Sequence, residues 1–129
     1  MSDHTVAQDR PPSTVPEALE AAARLIERGH CKGAAARDAD GGEVYLTSAT
    51  ACSWSAEGAI RMACAYCNWP GALSATDMVL FELADHLRIL HGIAENRRYR
   101  ILWDWNDAPE RTAAEVAAEM RACAEAFVP

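Results

Sequence analysis

A Cys-x-x-Cys pair followed by two histidines is the first feature of the sequence that could carry chemistry. Cys64 and Cys67 form the pair, and His86 and His91 lie downstream, which is the residue set of many structural zinc sites. Eighteen residues separate Cys67 from His86, whereas about 12–15 are usual. The two histidines are five residues apart on a predicted helix, so their side chains should diverge by about 140°. We therefore expect no metal site and interpret both cysteines as small apolar core residues.

A redox function for the same pair is not favoured either. Redox-active Cys-x-x-Cys pairs lie at the start of a helix, where the helix dipole lowers the pKa of the thiol. Cys64 and Cys67 end a predicted helix, where the dipole raises the pKa. We expect no cofactor.

His86 has two interpretations, because it lies within the apolar stripe of its predicted helix. It is either a core histidine held by one hydrogen bond, or a polar group that lines a pocket. The sequence contains no G-x-S-x-G, no H-E-x-x-H and no P-loop, so it does not indicate an enzyme.

The run from Trp103 to Thr112 is the most distinctive segment. Trp103 and Trp105 are one residue apart and cannot share a helical face, so one should pack inward while the other meets solvent or a partner. The run is either a structural lead-in to the last helix or a binding edge, because Trp and Arg dominate interface hot spots. The candidate binding residues are Trp103, Trp105, Asn106, Asp107 and Arg111, with His86 as a separate candidate.

Three arginines surround an aromatic residue at positions 97–100, as in many nucleic-acid-binding proteins. Carboxylates lie close by at Glu95, Asp104 and Asp107, so local salt bridges are the favoured interpretation. The formal net charge of −7 also argues against phosphate binding as the main function. We do not expect direct binding of nucleic acid.

Capping residues and apolar stripes predict four amphipathic helices. The first is capped by Thr14 with Glu17 and ends at Gly29, the second covers about 53–67, the third runs from Ser74 to His91, and the last is capped by Thr112 with Glu115. Residues 34–47 favour a small β-hairpin around the Asp/Gly cluster at 38–42. The predicted stripes are Val15, Leu19, Ala22 and Ile26; Ala56, Ile60, Ala63, Cys64 and Cys67; Val79, Leu83, Leu87 and Leu90; and Val116, Met120, Cys123 and Phe127.

The length of 129 residues suits one domain with a modest core. Residues 1–13 are polar with a Pro pair and are predicted to be a flexible arm, and residues 14–129 to be a single helical domain. The sequence has no apolar stretch near the ~20 residues of a membrane helix and no signal-peptide pattern. Five cysteines without an export signal favour a reducing compartment. We expect a cytoplasmic protein that does not associate with membranes.

The chain resembles an uncharacterised family of small proteins from actinobacteria and their phages. The resemblance rests on a closing W-N-D-x-P-x-R-T-x-x-E-V motif and on an opening L-x-x-A-A-x-L-I-x-x-G helix. It implies a mostly helical cytoplasmic domain and no particular activity. The chain departs from the family at His30, where an aromatic residue is usual, and at residues 52–59, where a Cys-Gly segment is altered. The matched residues are Trp105, Asn106, Asp107, Pro109, Arg111, Thr112, Glu115 and Val116, and in the helix Leu19, Ala22, Ala23, Leu25, Ile26 and Gly29.

Together these observations predict a mainly α domain of four amphipathic helices with a small β-hairpin insert. The expected function is a non-enzymatic, acidic protein-binding module of regulatory or inhibitory type, associated with phages or mobile elements. Its partner would be another protein, recognised through complementary electrostatic potential. The alternative is a small-molecule-binding protein or small enzyme with a pocket near His86.

Overall fold

The described residues form a mainly helical fold with one small antiparallel β-hairpin, as the sequence predicts. The computed structural model describes residues 10–71 and 73–129. Residues 1–9, which make up most of the predicted arm at 1–13, lie outside the described residues. In chain order, the elements are α1 (Val15–Arg28), β1 (Ala36–Arg37), β2 (Ser53–Trp54), α2 (Ala56–Ala63), α3 (Ala75–His91), α4 (Arg98–Asp107) and α5 (Ala113–Ala126).

Side-chain caps start three of the helices at the predicted positions. The capping residues are Thr14, Ser74 and Thr112. In each, the side-chain hydroxyl accepts a hydrogen bond from the backbone N–H of the residue three positions later. Thr112 and Glu115 form a reciprocal capping box, because the Glu115 carboxylate also accepts from the Thr112 N–H, at 2.9 Å. At Thr14 the reciprocal hydrogen bond is not made. The Glu17 carboxylate accepts instead from the N–H and the hydroxyl of Ser13.

The prediction of four helices is wrong, because α4 adds a fifth within the described residues. Its N-cap, Arg97, makes no side-chain capping hydrogen bond, so the usual local signal for a helix start is missing. Tertiary packing stabilises this helix instead, through a buried face at i, i+1, i+4 and i+5 that includes one polar residue. That face consists of Ile101, Leu102, Trp105 and Asn106.

The β-hairpin forms with a different second strand from the predicted one. β1 pairs with β2, so that Ala36 lies opposite Trp54 and Arg37 lies opposite Ser53. Residues 43–47 do not form the second strand; next to β1 they contribute the Arg37–Glu43 bridge and a hydrogen bond from Val44 N to Ala36 O. Ser53 and Trp54 precede α2 rather than begin it, since Ser55 is its cap. Burial of the Trp54 side chain, which is 3% exposed, favours this pairing.

Helix α1 lies at the centre of the core and packs chiefly against α5 and α2, while α4 packs against α3. The predicted stripe of α1 is fully inside the protein. The stripe of α3 is confirmed for Val79, Leu83 and Leu87 but wrong for Leu90, which is 57% exposed near the end of its helix. None of the helices in the described residues is long and apolar enough to span a membrane.

One glycine permits a close approach between α2 and the hairpin. A Cβ atom on Gly58, in the first turn of α2, would lie 2.0 Å from the Ala35 carbonyl oxygen, well inside van der Waals contact. The start of α2 is therefore packed closely against Ala35, which lines the cavity described below.

Candidate functional site

Asn106 holds three segments of the chain together. Its side chain is buried at 2% exposure. Its Oδ1 atom accepts from Ala56 N at 2.9 Å, and its Nδ2 atom donates to Cys31 O at 3.1 Å. The His30 Nε2 atom lies 2.8 Å from the same Oδ1. Because an amide oxygen only accepts hydrogen bonds, His30 must carry its proton on Nε2.

Asp107 and Lys32 extend this link between the end of α4 and the segment after α1. The Asp107 Oδ1 atom accepts from Gly33 N at 3.1 Å and from Asn106 Nδ2 at 2.9 Å. Lys32 Nζ donates to the carbonyl oxygens of Ala108 and Pro109, at 2.6 and 3.2 Å. Residues 30–33 are thereby fastened to the α4–α5 connection, so Asn106 and Asp107 act here as structural residues.

Trp105 and Arg111 form a second structural pair. Trp105 is 7% exposed, and the Arg111 guanidinium carbon lies 4.3 Å from the centre of its ring. Arg111 Nε also donates to the Trp105 carbonyl oxygen at 2.9 Å. Among the described residues the Trp105 Nε1 atom has no hydrogen-bond partner. Of the two neighbouring tryptophans, Trp105 therefore packs inward.

His86 and His91 converge, although their spacing on α3 predicts divergence. The His86 Nε2 atom lies 3.0 Å from one carboxylate oxygen of Glu119, and the His91 Nε2 atom lies 3.7 Å from the other. Helix α5 supplies this carboxylate, and its two oxygens reach both rings. The His91 ring is also stacked on Trp105, with 6.4 Å between ring centres. No group of three or more His, Cys, Asp or Glu residues in the described ranges is placed to hold a metal ion.

Cys64 is buried in the core, whereas Cys67 lies beyond the end of α2 and is only partly buried, beside the N-terminal segment. Burial raises the pKa of the Cys64 thiol to about 12, so this group is protonated at neutral pH. The Cys67 thiol donates to the Pro12 carbonyl oxygen at 3.1 Å. The interpretation of Cys64 as a small core residue is confirmed.

The arginines at positions 97–100 are each paired with a carboxylate. Arg97 pairs with Glu95 at 2.8 Å and Arg100 with Asp104 at 3.2 Å, which confirms the prediction of local salt bridges. The hydrogen bonds from Arg97 lower the pKa of Glu95 to about 2. Arg98 instead reaches Asp85 on α3 at 3.1 Å.

A cavity of about 370 Å³ opens between residues 33–35, the start of α2 and the outer face of α4. We call it the Trp103 cavity. Three of the candidate residues line it, namely Trp103, Asn106 and Asp107, whereas Trp105, Arg111 and His86 do not. Its other polar lining residues are Ser55, Glu57, Arg100 and Asp104.

The sequence pattern predicts only local salt bridges for Arg100 and Asp104, and it predicts no site role for Ser55 and Glu57. A usable signal existed on α4, because positions 100, 103, 104 and 107 have the i, i+3, i+4, i+7 spacing of one helical face. This spacing places the four residues on one face only if residues 98–107 form a helix, and the sequence did not predict that helix. The contribution of Ser55 and Glu57 depends on how α2 packs, which the sequence does not reveal.

Trp103 faces outward and belongs to a closed circuit of four side chains. It is 47% exposed, and its Nε1 atom donates to a carboxylate oxygen of Glu57. The other oxygen of Glu57 accepts from Arg61 Nε at 2.8 Å. The Arg61 guanidinium carbon lies 5.9 Å from the centre of the Tyr99 ring, and that ring is 6.3 Å from Trp103. The circuit holds the indole ring in place at the surface.

The aromatic surface continues from Trp103 along the α3–α4 face. Phe81 meets Tyr99 edge to face, with 6.1 Å between ring centres. The Arg98 guanidinium carbon lies 4.6 Å from the centre of the Phe81 ring. Tyr99 is anchored through its hydroxyl, which donates to Asp77 at 3.0 Å. We call Phe81, Tyr99 and Trp103 the aromatic ridge.

No curated protein and no solved structure matches the chain. A model of a family of unknown function, DUF6197, matches residues 10–126. This match agrees with the resemblance to an uncharacterised family at that general level. Because the match covers most of its length, the chain belongs to the DUF6197 family of unknown function.

Proposed function

We propose that the protein is a non-enzymatic protein-binding module whose contact surface is the aromatic ridge, with Trp103 at its centre. The observation that carries the proposal is the circuit through Glu57, Arg61 and Tyr99, which fixes a tryptophan that remains 47% exposed. An anchor that is ordered before binding loses little side-chain entropy when a partner docks.

The composition of this surface supports the same proposal. Trp, Tyr and Arg are the residue types most enriched in interface hot spots, and the ridge with its neighbours Arg61 and Arg98 contains all three. The arginine charges are paired with Glu57 and Asp85, so the surface presents flat aromatic and guanidinium groups rather than strong positive charge.

The remaining candidate residues support the aromatic ridge without belonging to it. Trp105, Asn106, Asp107 and Arg111 hold the end of α4 in position, and the outer face of α4 carries Trp103. The alternative of a pocket near His86 has less support, because His86 is bonded to Glu119 and does not line the Trp103 cavity. We extend the proposal to a regulatory or inhibitory role, and the family resemblance supports a cytoplasmic location in actinobacteria or their phages.

Site-specific photocrosslinking in the host cell tests this proposal. A benzoylphenylalanine residue is placed at position 81 of the ridge, which leaves Trp103 intact, and, as the control, at Tyr66, which is an 81% exposed aromatic outside the ridge. We expect one protein to be crosslinked from position 81 and not from position 66. The purified partner is then titrated by calorimetry against the wild type, Trp103→Ala and Tyr66→Ala.

A hot-spot tryptophan contributes about 2 kcal/mol or more, so Trp103→Ala should raise the Kd at least about 25-fold. Tyr66→Ala should leave the Kd unchanged. Circular dichroism confirms that both variants are folded. Equal affinity of wild type and Trp103→Ala for the crosslinked protein would exclude the ridge as its binding surface.

A further inference from the structure

The walls of the Trp103 cavity carry more negative than positive charge. Glu57, Asp104 and Asp107 contribute three carboxylates and Arg100 one guanidinium; Glu57 is paired with Arg61 at 2.8 Å, so within the described residues the Asp107 carboxylate is the one without a cationic partner. The Arg100 Nε atom lies 3.2 Å from Asp104 Oδ2, so the single positive charge is already paired. Electrostatic complementarity therefore favours a cationic occupant.

Two carboxylate oxygens of the cavity remain available to a ligand. Asp104 uses Oδ2 for Arg100, and Asp107 uses Oδ1 for Gly33 N and Asn106 Nδ2. Within the described residues, Asp104 Oδ1 and Asp107 Oδ2 accept no hydrogen bond from the protein. Both belong to the outer face of α4, one helical turn apart. Both oxygens of Glu57, by contrast, are used to hold Trp103 and Arg61.

The third feature of the cavity is its aromatic wall. The Trp103 side chain lines the cavity and is fixed by Glu57 and Tyr99. An indole face attracts cations, and a planar guanidinium stacks on it while donating to nearby carboxylates. A lysine ammonium would gain the charge attraction but neither the stacking nor the forked donor geometry.

We infer that the Trp103 cavity receives an arginine side chain of the partner protein, stacked on Trp103 and bonded to Asp104 and Asp107. This inference rests on the proposed function and specifies the chemistry of its partner. It accounts for the position of the cavity beside the ridge, since a ridge-bound protein would present side chains at the cavity mouth. A volume of about 370 Å³ is at the lower end of the usual range for ligand sites, about 300–1,000 Å³.

A titration followed by nuclear magnetic resonance tests this inference on the full chain. The probe is N-acetyl-arginine amide, and the matched control is N-acetyl-citrulline amide, which has the same shape without the charge. We expect the arginine probe to shift the Trp103 indole N–H and the Gly33 amide resonances in a saturable way. The citrulline probe should bind at least about tenfold more weakly. The absence of saturable shifts, or equal shifts with both probes, would overturn the inference.

Two substitutions locate the binding site. Asp104→Asn removes one carboxylate and leaves Arg100 unpaired, so we expect the Kd for the arginine probe to rise at least about fivefold. Asp40→Asn changes an exposed carboxylate in the 38–42 turn and should have no effect. Equal Kd values for wild type and Asp104→Asn would also overturn the inference.

The outcomes separate this inference from the proposed function. If Trp103→Ala weakens the partner complex but the arginine probe does not bind, the ridge is the interface and the cavity inference is wrong. If the arginine probe binds as expected but Trp103→Ala leaves the partner complex intact, the proposed function is wrong.

Discussion

Asn106 accepts a hydrogen bond from His30 although 76 positions separate them, and the two side-chain atoms lie 2.8 Å apart. Through this pair the end of α4 is joined to the residues that follow α1, inside the protein. The same Asn106 oxygen also accepts from the first residue of α2, Ala56. One amide group thus fixes α4 relative to α2, which are the two helices that bound the Trp103 cavity.

The first prediction concerns this amide. In Asn106→Asp an oxygen replaces the Nδ2 donor, so the Cys31 carbonyl loses its partner and a negative charge faces Asp107. An unpaired buried polar group costs about 1–3 kcal/mol, so we expect the free energy of unfolding to fall by about 3 kcal/mol. Urea denaturation followed by circular dichroism measures this change. The exposed Asn96→Asp is the control, and a loss below about 0.5 kcal/mol in Asn106→Asp would contradict the prediction.

Truncation should destabilise the fold far more at Trp105 than at Trp103. Trp105→Ala removes a buried side chain and should lower the free energy of unfolding by about 3–5 kcal/mol. Trp103→Ala removes a half-exposed side chain and should cost about 1 kcal/mol or less. The comparison uses urea midpoints under identical conditions. Equal losses would mean that Trp103 is part of the core rather than a binding anchor.

Gly58→Ala should destabilise the protein, although alanine is the better helix former. Alanine normally gains about 1 kcal/mol over glycine within a helix. Here the added Cβ would lie 2.0 Å from the Ala35 carbonyl oxygen, so either α2 or the hairpin must move. We expect a net loss of about 2 kcal/mol. The exposed α5 change Ala118→Gly should show the ordinary helix penalty, and a stabilised Gly58→Ala would refute the close approach.

A pH-dependent contribution is expected from Arg121, which joins α5 to α1. Its guanidinium donates to Glu20 at 3.0 Å and to Glu27 at 3.0 Å. These hydrogen bonds lower the pKa of both carboxyls below the ordinary value of 4.5. A lowered folded-state pKa stabilises the fold above the unfolded-state pKa, and this contribution is lost as pH falls through the folded-state value.

We therefore expect Arg121→Gln to lower the urea midpoint at pH 7. The difference from wild type should shrink steadily as the pH falls below 4.5. Arg24→Gln is the matched control, because Arg24 contacts only one of the two carboxylates, Glu20, at 3.3 Å on the surface. A difference that is independent of pH would show that the arginine acts through packing alone.

The sequence by itself determined the features that depend on neighbouring residues. The caps at Thr14, Ser74 and Thr112 and the helix ends at Gly29 and His91 are correct, because capping uses hydrogen bonds within a few residues of the helix end. The apolar stripe of α1 is also correct, since one face of a central helix must be buried wherever its neighbours lie.

Only the tertiary structure decided which residues come together at the site. Helix α4 lacks a side-chain cap and forms against its neighbours. The second strand is Ser53–Trp54 because β1 had two candidate partners, and burial of Trp54 favours this one. His86 and His91 converge because a carboxylate from α5 reaches both of them. Each of these outcomes depends on contacts between residues far apart in the chain, and no local pattern encodes the free energy of such contacts.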